Sequence, residues 1–119
     1  MLRILRFSTN RSLSPPETMK ALEAAQAGVK AAESVPGIRW CKLHLGAGAL
    51  VFAAEFDGYA AADRALADPG IQATFGRLGI EFGYAVNSDE FFLDPEQIYP
   101  FLRTGAEAQT VATQPASRN

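Results

Sequence analysis

The stretch RWCKLHL, residues 39–45, contains the only tryptophan, the only cysteine and the only histidine of the chain. A thiolate is a nucleophile and an imidazole titrates near neutral pH, so a cysteine and a histidine in contact could perform nucleophilic or general acid–base catalysis. Successive side chains of a strand, however, point to opposite faces. Cys41 is therefore predicted to point away from Trp40 and His44, and the three residues do not form one catalytic cluster.

Each of these reactive side chains has two interpretations. Cys41 is interpreted as a small buried hydrophobe under a helix rather than as a reactive thiolate, because its predicted face offers no cationic neighbour. His44 is either a surface or interface histidine near a turn, or a general base that shares a pocket with Tyr84 and Arg6. A metal site needs several converging ligands, which a lone histidine does not supply. No metal and no cofactor are predicted.

The first half of the chain predicts a strand, a helix and a hairpin. LRILRFS alternates as a strand does, and Ser14, Pro15 and Glu17 form a capping-box pattern that begins a helix. The helix ends at Pro36-Gly37, and its predicted core face consists of Met19, Leu22, Gln26, Val29 and Ala32. GIRWCKLHL then predicts a strand, GAG a tight turn and ALVFAAEF the antiparallel return strand.

The second half predicts a helical region and a fourth strand. Asp57 is a candidate cap for a helix that Asp68-Pro69 interrupts and restarts through to Gly79, and EFGYAVNS, residues 81–88, supplies the strand. The order strand, helix, strand, strand, helix, strand predicts an α+β protein with a ferredoxin-like, four-stranded antiparallel sheet.

The predicted domain organisation has three parts. Residues 1–88 form the ferredoxin-like domain, and residues 89–103 form a C-terminal dimerisation arm rich in aromatic and aliphatic residues. Within the arm, Asp94-Pro95 could open a single helical turn that Pro100 limits. Residues 104–119 have little to bury and are predicted to be a flexible tail.

Alternation along the strands also predicts an aromatic and cationic sheet face. The candidate catalytic residues are His44 and Tyr84, and the candidate substrate-binding residues are Arg6, Asn10, Trp40, Lys42, Phe52 and Phe56. Cations on an aromatic face are costly to bury unless they meet an anion, so a small aromatic or anionic ligand is one hypothesis. The alternative is that the aromatic residues are plain core and that the cations reach solvent or pair with Glu55 or Glu81.

Composition limits the partners and the location of the chain. A net charge of -2 provides no basic field for nucleic acid, and no apolar run approaches the roughly 18 to 20 residues that span a bilayer. The lone cysteine fits a reducing compartment, so a cytoplasmic location is expected. A sheet with helices on one side would expose its aromatic other face, which predicts a homodimer.

Residues 1 to about 102 resemble the dimeric α/β barrel families, and the nearest comparison is the antibiotic-biosynthesis-monooxygenase-like group. The resemblance rests on the element order, on PGIRW before the second strand and on AAEFDGYAAADRALADPGIQATF after the third. It implies two sheets packed face to face. It also implies either a cofactor-free monooxygenase or isomerase acting on an aromatic or polyketide-like compound, or a non-enzymatic binding or stress-response barrel. The haem-degrading branch is similar only at Asn10, since Phe56 replaces its tryptophan and its haem-ligating histidine is absent.

Overall fold

The computed structural model describes the backbone of residues 1–108 and the side chains of residues 1–100 and of Leu102. The strands are β1 (Leu2–Ser8), β2 (Ile38–Gly46), β3 (Ala49–Phe56) and β4 (Ala85–Phe92), and the helices are α1 (Pro15–Ala32), α2 (Tyr59–Ala67), α3 (Pro69–Phe82) and α4 (Pro95–Ala108). The strands form one antiparallel sheet in the order β2-β3-β1-β4. The predicted ferredoxin-like α+β fold is confirmed.

Helix α1 begins with the predicted capping box. The Ser14 side chain accepts from the Glu17 amide, and the Glu17 carboxylate accepts from the Ser14 amide at 2.9 Å. This second hydrogen bond lowers the pKa of Glu17. The buried face of the helix consists of Ala21, Ala24, Ala25, Gly28, Val29 and Ala32, which confirms the prediction for Val29 and Ala32. The prediction was wrong for Met19 and Gln26, which are exposed, because small residues let α1 approach its neighbours closely.

The β2–β3 hairpin has a two-residue turn, Ala47 and Gly48, in which Gly48 adopts a φ of 65°. In the resulting register His44 pairs with Val51 and Leu43 pairs with Phe52. The predicted hairpin is present, but the prediction took all three residues of GAG as its turn. A three-residue turn would shift the pairing of β2 with β3 by one residue. A one-residue shift moves every side chain of a strand to the other face.

The elements between residues 57 and 92 differ in their bounds from the prediction. Asp57 does not cap α2, whose N-cap is Gly58, whereas Asp68 caps α3 by accepting from the Ile71 amide at 3.1 Å. Helix α3 continues to Phe82 and ends at Gly83, which adopts a φ of 75°. β4 therefore begins at residue 85, and residues 89–92, which we assigned to the arm, belong to the sheet.

The remainder of the predicted arm forms α4 instead of a single turn. The helix begins after Asp94 and continues through Pro100, a residue that costs a helix one backbone hydrogen bond. Residues 104–108 of the predicted tail lie in α4, and residues 109–119 lie outside the described residues. The dimerisation role of the arm stays a prediction.

The core lies between the sheet and α1, α2 and α3. Phe7, Phe52 and Phe75 pack as a ring cluster, with ring centroids 5.0 to 6.1 Å apart. Helix α1 meets α3 where Gly28 faces Thr74, and a Cβ at position 28 would lie 2.7 Å from the Thr74 Cγ2. Glycine at this position therefore sets how closely the two helices approach.

Two glycine-to-alanine substitutions are expected to change stability in opposite directions. Gly28→Ala should lower the free energy of unfolding by about 1 to 3 kcal/mol, because its methyl group overpacks the contact with Thr74. Gly76→Ala should raise it by roughly 0.5 to 1 kcal/mol, because Gly76 lies inside α3 with open space around it. Urea denaturation of both variants measures this. If Gly76→Ala lost as much stability as Gly28→Ala, the loss in Gly28→Ala could not be attributed to the contact of Gly28 with Thr74.

Candidate functional site

The face of the sheet opposite the helices, which we call the open face, carries three cross-strand rows of side chains. The first row consists of His44, Val51, Arg6 and Ser88, the second of Lys42, Ala53, Ile4 and Glu90, and the third of Trp40, Glu55, Leu2 and Phe92. The Lys42 ammonium lies 5.3 Å from the centroid of the Trp40 ring. Neighbouring strands are about 4.8 Å apart, so His44 and Arg6, separated by Val51, lie roughly 10 Å apart.

The open face thus brings together Arg6, Trp40, Lys42 and His44 but does not include the other predicted site residues. Phe52 pairs with Leu5 and packs on α3, and Phe56 packs against α2. Tyr84 is buried with α1 residues in the core. The predicted grouping of Phe52, Phe56 and Tyr84 with His44 was wrong, because the hairpin register and the start of β4 differ from those assumed.

Asn10 lies in the loop between β1 and α1 and is exposed. The hydrogen bonds of this loop are made by its neighbours, since Thr9 Oγ1 donates to the Phe82 carbonyl and Arg11 Nη1 donates to the Glu81 carbonyl. Asn10 contributes to neither the open face nor the cavity described next, and its role in ligand binding stays a prediction.

A cavity of about 60 Å³ lies between the helix-facing side of the sheet and the helix layer. Its sheet side consists of Arg3, Leu5, Ile38, Cys41, Phe52, Ala54 and Phe56, and its helix side consists of Gly28, Ala32, Ala65, Leu66, Ile71 and Phe75. The lining is apolar except for Arg3 and the Cys41 thiol. Two predicted ligand-binding residues, Phe52 and Phe56, line this cavity.

Arg3 is a buried cation in the wall of the cavity. Its side chain is 10% exposed, and it forms a bidentate ion pair with Asp89 on β4, at 2.8 Å from Nε to Oδ1 and 2.6 Å from Nη2 to Oδ2. The guanidinium carbon lies 4.6 Å from the centroid of the Phe91 ring, which packs edge-on against Tyr59. The alternation of β1 places Arg3 on the same face as Leu5 and Phe7, and sequence reasoning could have found it from that signal.

Burial changes the acid–base chemistry of two residues on the helix-facing side. It raises the pKa of the Cys41 thiol to about 11, with a smaller contribution from Glu33. Burial also raises the pKa of the Tyr84 phenol. Both groups are therefore protonated at neutral pH. Cys41 is half-buried on the helix-facing side of the sheet, and its low reactivity stays a prediction.

Alkylation of Cys41 is expected to be roughly tenfold slower in the folded protein than in the urea-unfolded chain at pH 8. The raised pKa lowers the thiolate fraction, while the greater nucleophilicity of the remaining thiolate offsets part of this loss. The measurement is the rate of iodoacetamide modification by intact mass. Equal rates in the two states would refute the raised pKa of the thiol and the protection of this half-buried residue by the helices.

Among the residues that the structure describes, no group of three or more His, Cys, Asp and Glu side chains could hold a metal ion. None of the helices in the described part of the chain combines the length and apolar character needed to cross a membrane.

The sheet order and the layer of helices on one face of the sheet define a ferredoxin-like α+β fold. Solved structures with this fold include Rv0793 from Mycobacterium tuberculosis, which is 20% identical with a TM-score of 0.58, over 78% of this chain and 95% of that chain. SnoaB, a cofactor-independent oxygenase from Streptomyces nogalater, is 17% identical with a TM-score of 0.62, over 78% and 90%. A structure described as an antibiotic biosynthesis monooxygenase is 16% identical with a TM-score of 0.60, over 79% and 100%.

The chain therefore has the fold of antibiotic biosynthesis monooxygenase structures, as its sequence pattern predicted. No protein-family model matches the sequence. No curated protein matches it significantly in sequence either.

Proposed function

We propose that the chain forms a homodimeric α/β barrel that binds a small, mainly apolar aromatic molecule and oxidises it as a cofactor-free oxygenase. The observation that carries this proposal is the cavity beneath the helices, whose apolar lining contains a single charged side chain, Arg3. Apolar pockets with a few fixed polar groups are the usual form of small-molecule sites. The similarity in fold to SnoaB, a cofactor-independent oxygenase, supports the reaction class.

The homodimer is supported by the side chains of the open face. Trp40 is 39% exposed and Phe92 48% exposed, and the half-buried residues Leu2, Ile4 and Val51 lie on the same face. Packing two such faces together would bury these residues around a two-fold axis. A stable interface of this kind buries more than about 1,200 Å² in total.

In this arrangement the predicted site residues have two different roles. Phe52 and Phe56 contact the ligand in the cavity, whereas Arg6, Trp40 and Lys42 form the dimer interface. His44, at the end of a row on an edge strand, could act as a general base only on a molecule held between the two sheets. Tyr84 is protonated at neutral pH and could donate a hydrogen bond or a proton.

The size of the cavity favours a second candidate function, a binding barrel without catalysis. Ligand pockets usually measure about 300 to 1,000 Å³. The cavity here, about 60 Å³, must widen before an aromatic ring fits. A barrel that binds a smaller apolar molecule without oxidising it needs no such widening. Its expected location is the cytoplasm, where a lone cysteine stays reduced.

Oxygen uptake distinguishes the two functions. With anthrone as the probe substrate, the oxygenase converts the ring CH2 and O2 into a ring C=O and water, and the electrons come from the substrate. The full-length protein should raise the rate of oxygen consumption above that of spontaneous oxidation. Saturation-transfer NMR should detect anthrone binding in the same samples. Binding of anthrone without added oxygen uptake would support the binding barrel, and the absence of anthrone binding would refute the oxygenase.

A further inference from the structure

We infer that the two copies of the proposed homodimer are related by a two-fold axis parallel to the strands, and that Lys42 of each copy forms an ion pair with the partner's Glu90. The inference rests on the proposed homodimer and specifies how its two open faces meet. It assigns a binding role to two exposed charges at opposite edges of the open face.

Lys42 and Glu90 are charges that cannot pair with each other within one chain. They lie at the two ends of the second row, on the edge strands β2 and β4, with Ala53 and Ile4 between them. Three strand spacings of about 4.8 Å place their Cα atoms roughly 14 Å apart. Both residues are exposed, and neither forms an ion pair within the described part of the chain. A charge buried in an interface without an opposite charge is costly, so the partner must supply one.

A two-fold axis along the strands supplies the opposite charge. Such an axis passes between β3 and β1, the middle of the sheet, and exchanges the two edges while each row stays opposite the same row of the partner. It places β4 of the partner opposite β2, so Lys42 lies opposite the partner's Glu90, and the reciprocal pair forms by symmetry. Packed sheets lie about 10 Å apart, a distance that extended lysine and glutamate side chains span together.

A two-fold axis across the strands is excluded by the same charges. This axis runs along the second row and keeps each strand opposite its own copy. Lys42 would then lie opposite the partner's Lys42, and Glu90 opposite the partner's Glu90. Like charges that oppose each other across an interface are strongly unfavourable, whereas opposite charges fix the register of two partners. The charge pattern therefore selects the axis along the strands.

The large aromatic side chains of the third row select the same axis. Trp40 and Phe92 lie at the two ends of this row and are 39% and 48% exposed. The axis along the strands places Trp40 opposite the partner's Phe92, so that two aromatic rings cover each other. The axis across the strands would instead place Trp40 opposite the partner's His44 and Phe92 opposite the partner's Ser88. Apolar burial and charge pairing thus agree.

Charge reversal in the full chain tests the pairing. Lys42→Glu opposes two carboxylates and Glu90→Lys opposes two ammonium groups, in both symmetry-related pairs. Each single variant should therefore raise the dissociation constant of the homodimer about 100-fold. The double variant Lys42→Glu/Glu90→Lys exchanges the signs and should restore the wild-type dissociation constant. An equimolar mixture of the two single variants should form heterodimers, because this mixture also restores both pairs.

The dissociation constants are measured by sedimentation equilibrium, and native mass spectrometry identifies the heterodimer. The matched controls are Lys20→Glu and Glu23→Lys, which make the same changes at exposed residues of α1 on the other side of the sheet. Both controls should dimerise as the wild type does, which separates the local pairing from the change in net charge.

The possible results separate the ion pair from the homodimer. A wild type that is monomeric at low micromolar concentration overturns both. A dimeric wild type whose Lys42→Glu and Glu90→Lys variants dimerise as tightly as the controls overturns the pairing and leaves the homodimer intact. Single variants that are weakened but are rescued neither by the double substitution nor by mixing also overturn the pairing.

Discussion

Asp89→Ala is expected to lower the free energy of unfolding by about 3 kcal/mol, because it leaves the buried Arg3 guanidinium without its partner. The Arg3 side chain is 10% exposed and that of Asp89 is 34% exposed, so solvent screens this pair only in part. The two hydrogen bonds at 2.6 and 2.8 Å would be lost together. Urea denaturation followed by circular dichroism measures the change.

The matched control is Asp57→Ala, which removes the carboxylate of another arginine–aspartate pair. Arg39 and Asp57 are 63% and 62% exposed, and pairs of this kind contribute about 0 to 1 kcal/mol. Similar losses of unfolding free energy in Asp89→Ala and Asp57→Ala would show that the buried pair contributes no more to stability than the exposed pair.

Ile4→Asp is expected to raise the dissociation constant of the proposed homodimer about 100-fold or more, because it places a carboxylate at the centre of the open face. Ile4 lies between Ala53 and Glu90 in the middle row, so the new charge has an acidic neighbour. Sedimentation equilibrium at low micromolar concentration compares the variant with the wild type.

Ile80→Asp is the matched control for this substitution. Ile80 is 86% exposed on the outer side of α3, so the same chemical change there should leave the dissociation constant unaltered. A monomeric wild type at low micromolar concentration would refute the face-to-face barrel. Equal weakening by both variants would place the interface elsewhere than the open face.

The fold was predictable because several independent sequence signals agree on it. The capping box at Ser14, the glycine turn at Gly48 and the Asp68 cap all appear in the structure at the predicted residues. These signals depend on local backbone geometry, which the sequence of a few residues determines. The strand order then follows from the ferredoxin-like element order.

The candidate site was less predictable because it depends on register. The difference between a two-residue and a three-residue turn decides whether Phe52 shares a face with Lys42 or with Leu43, and both turns are compatible with GAG. Because α3 extends to Phe82, β4 begins and ends later in the chain than the sequence pattern predicts. Asp89 therefore lies in the strand beside Arg3 and not in the predicted arm. The pairing of Arg3 with Asp89 depends on the register of β4 beside β1, and it could not be derived from either segment alone.

The close contact between Gly28 and Thr74 has a consequence for the kinetics of ligand entry. The contact packs α1 firmly against α3, so we expect the cavity to widen by rotation of side chains such as Phe75 and Leu66 rather than by separation of these two helices. In that case the binding-competent rotamer is a minor state of the free protein, and the apparent Kd equals the intrinsic Kd divided by the population of this rotamer. A smaller side chain at position 75 would increase that population, and ligand association would become faster.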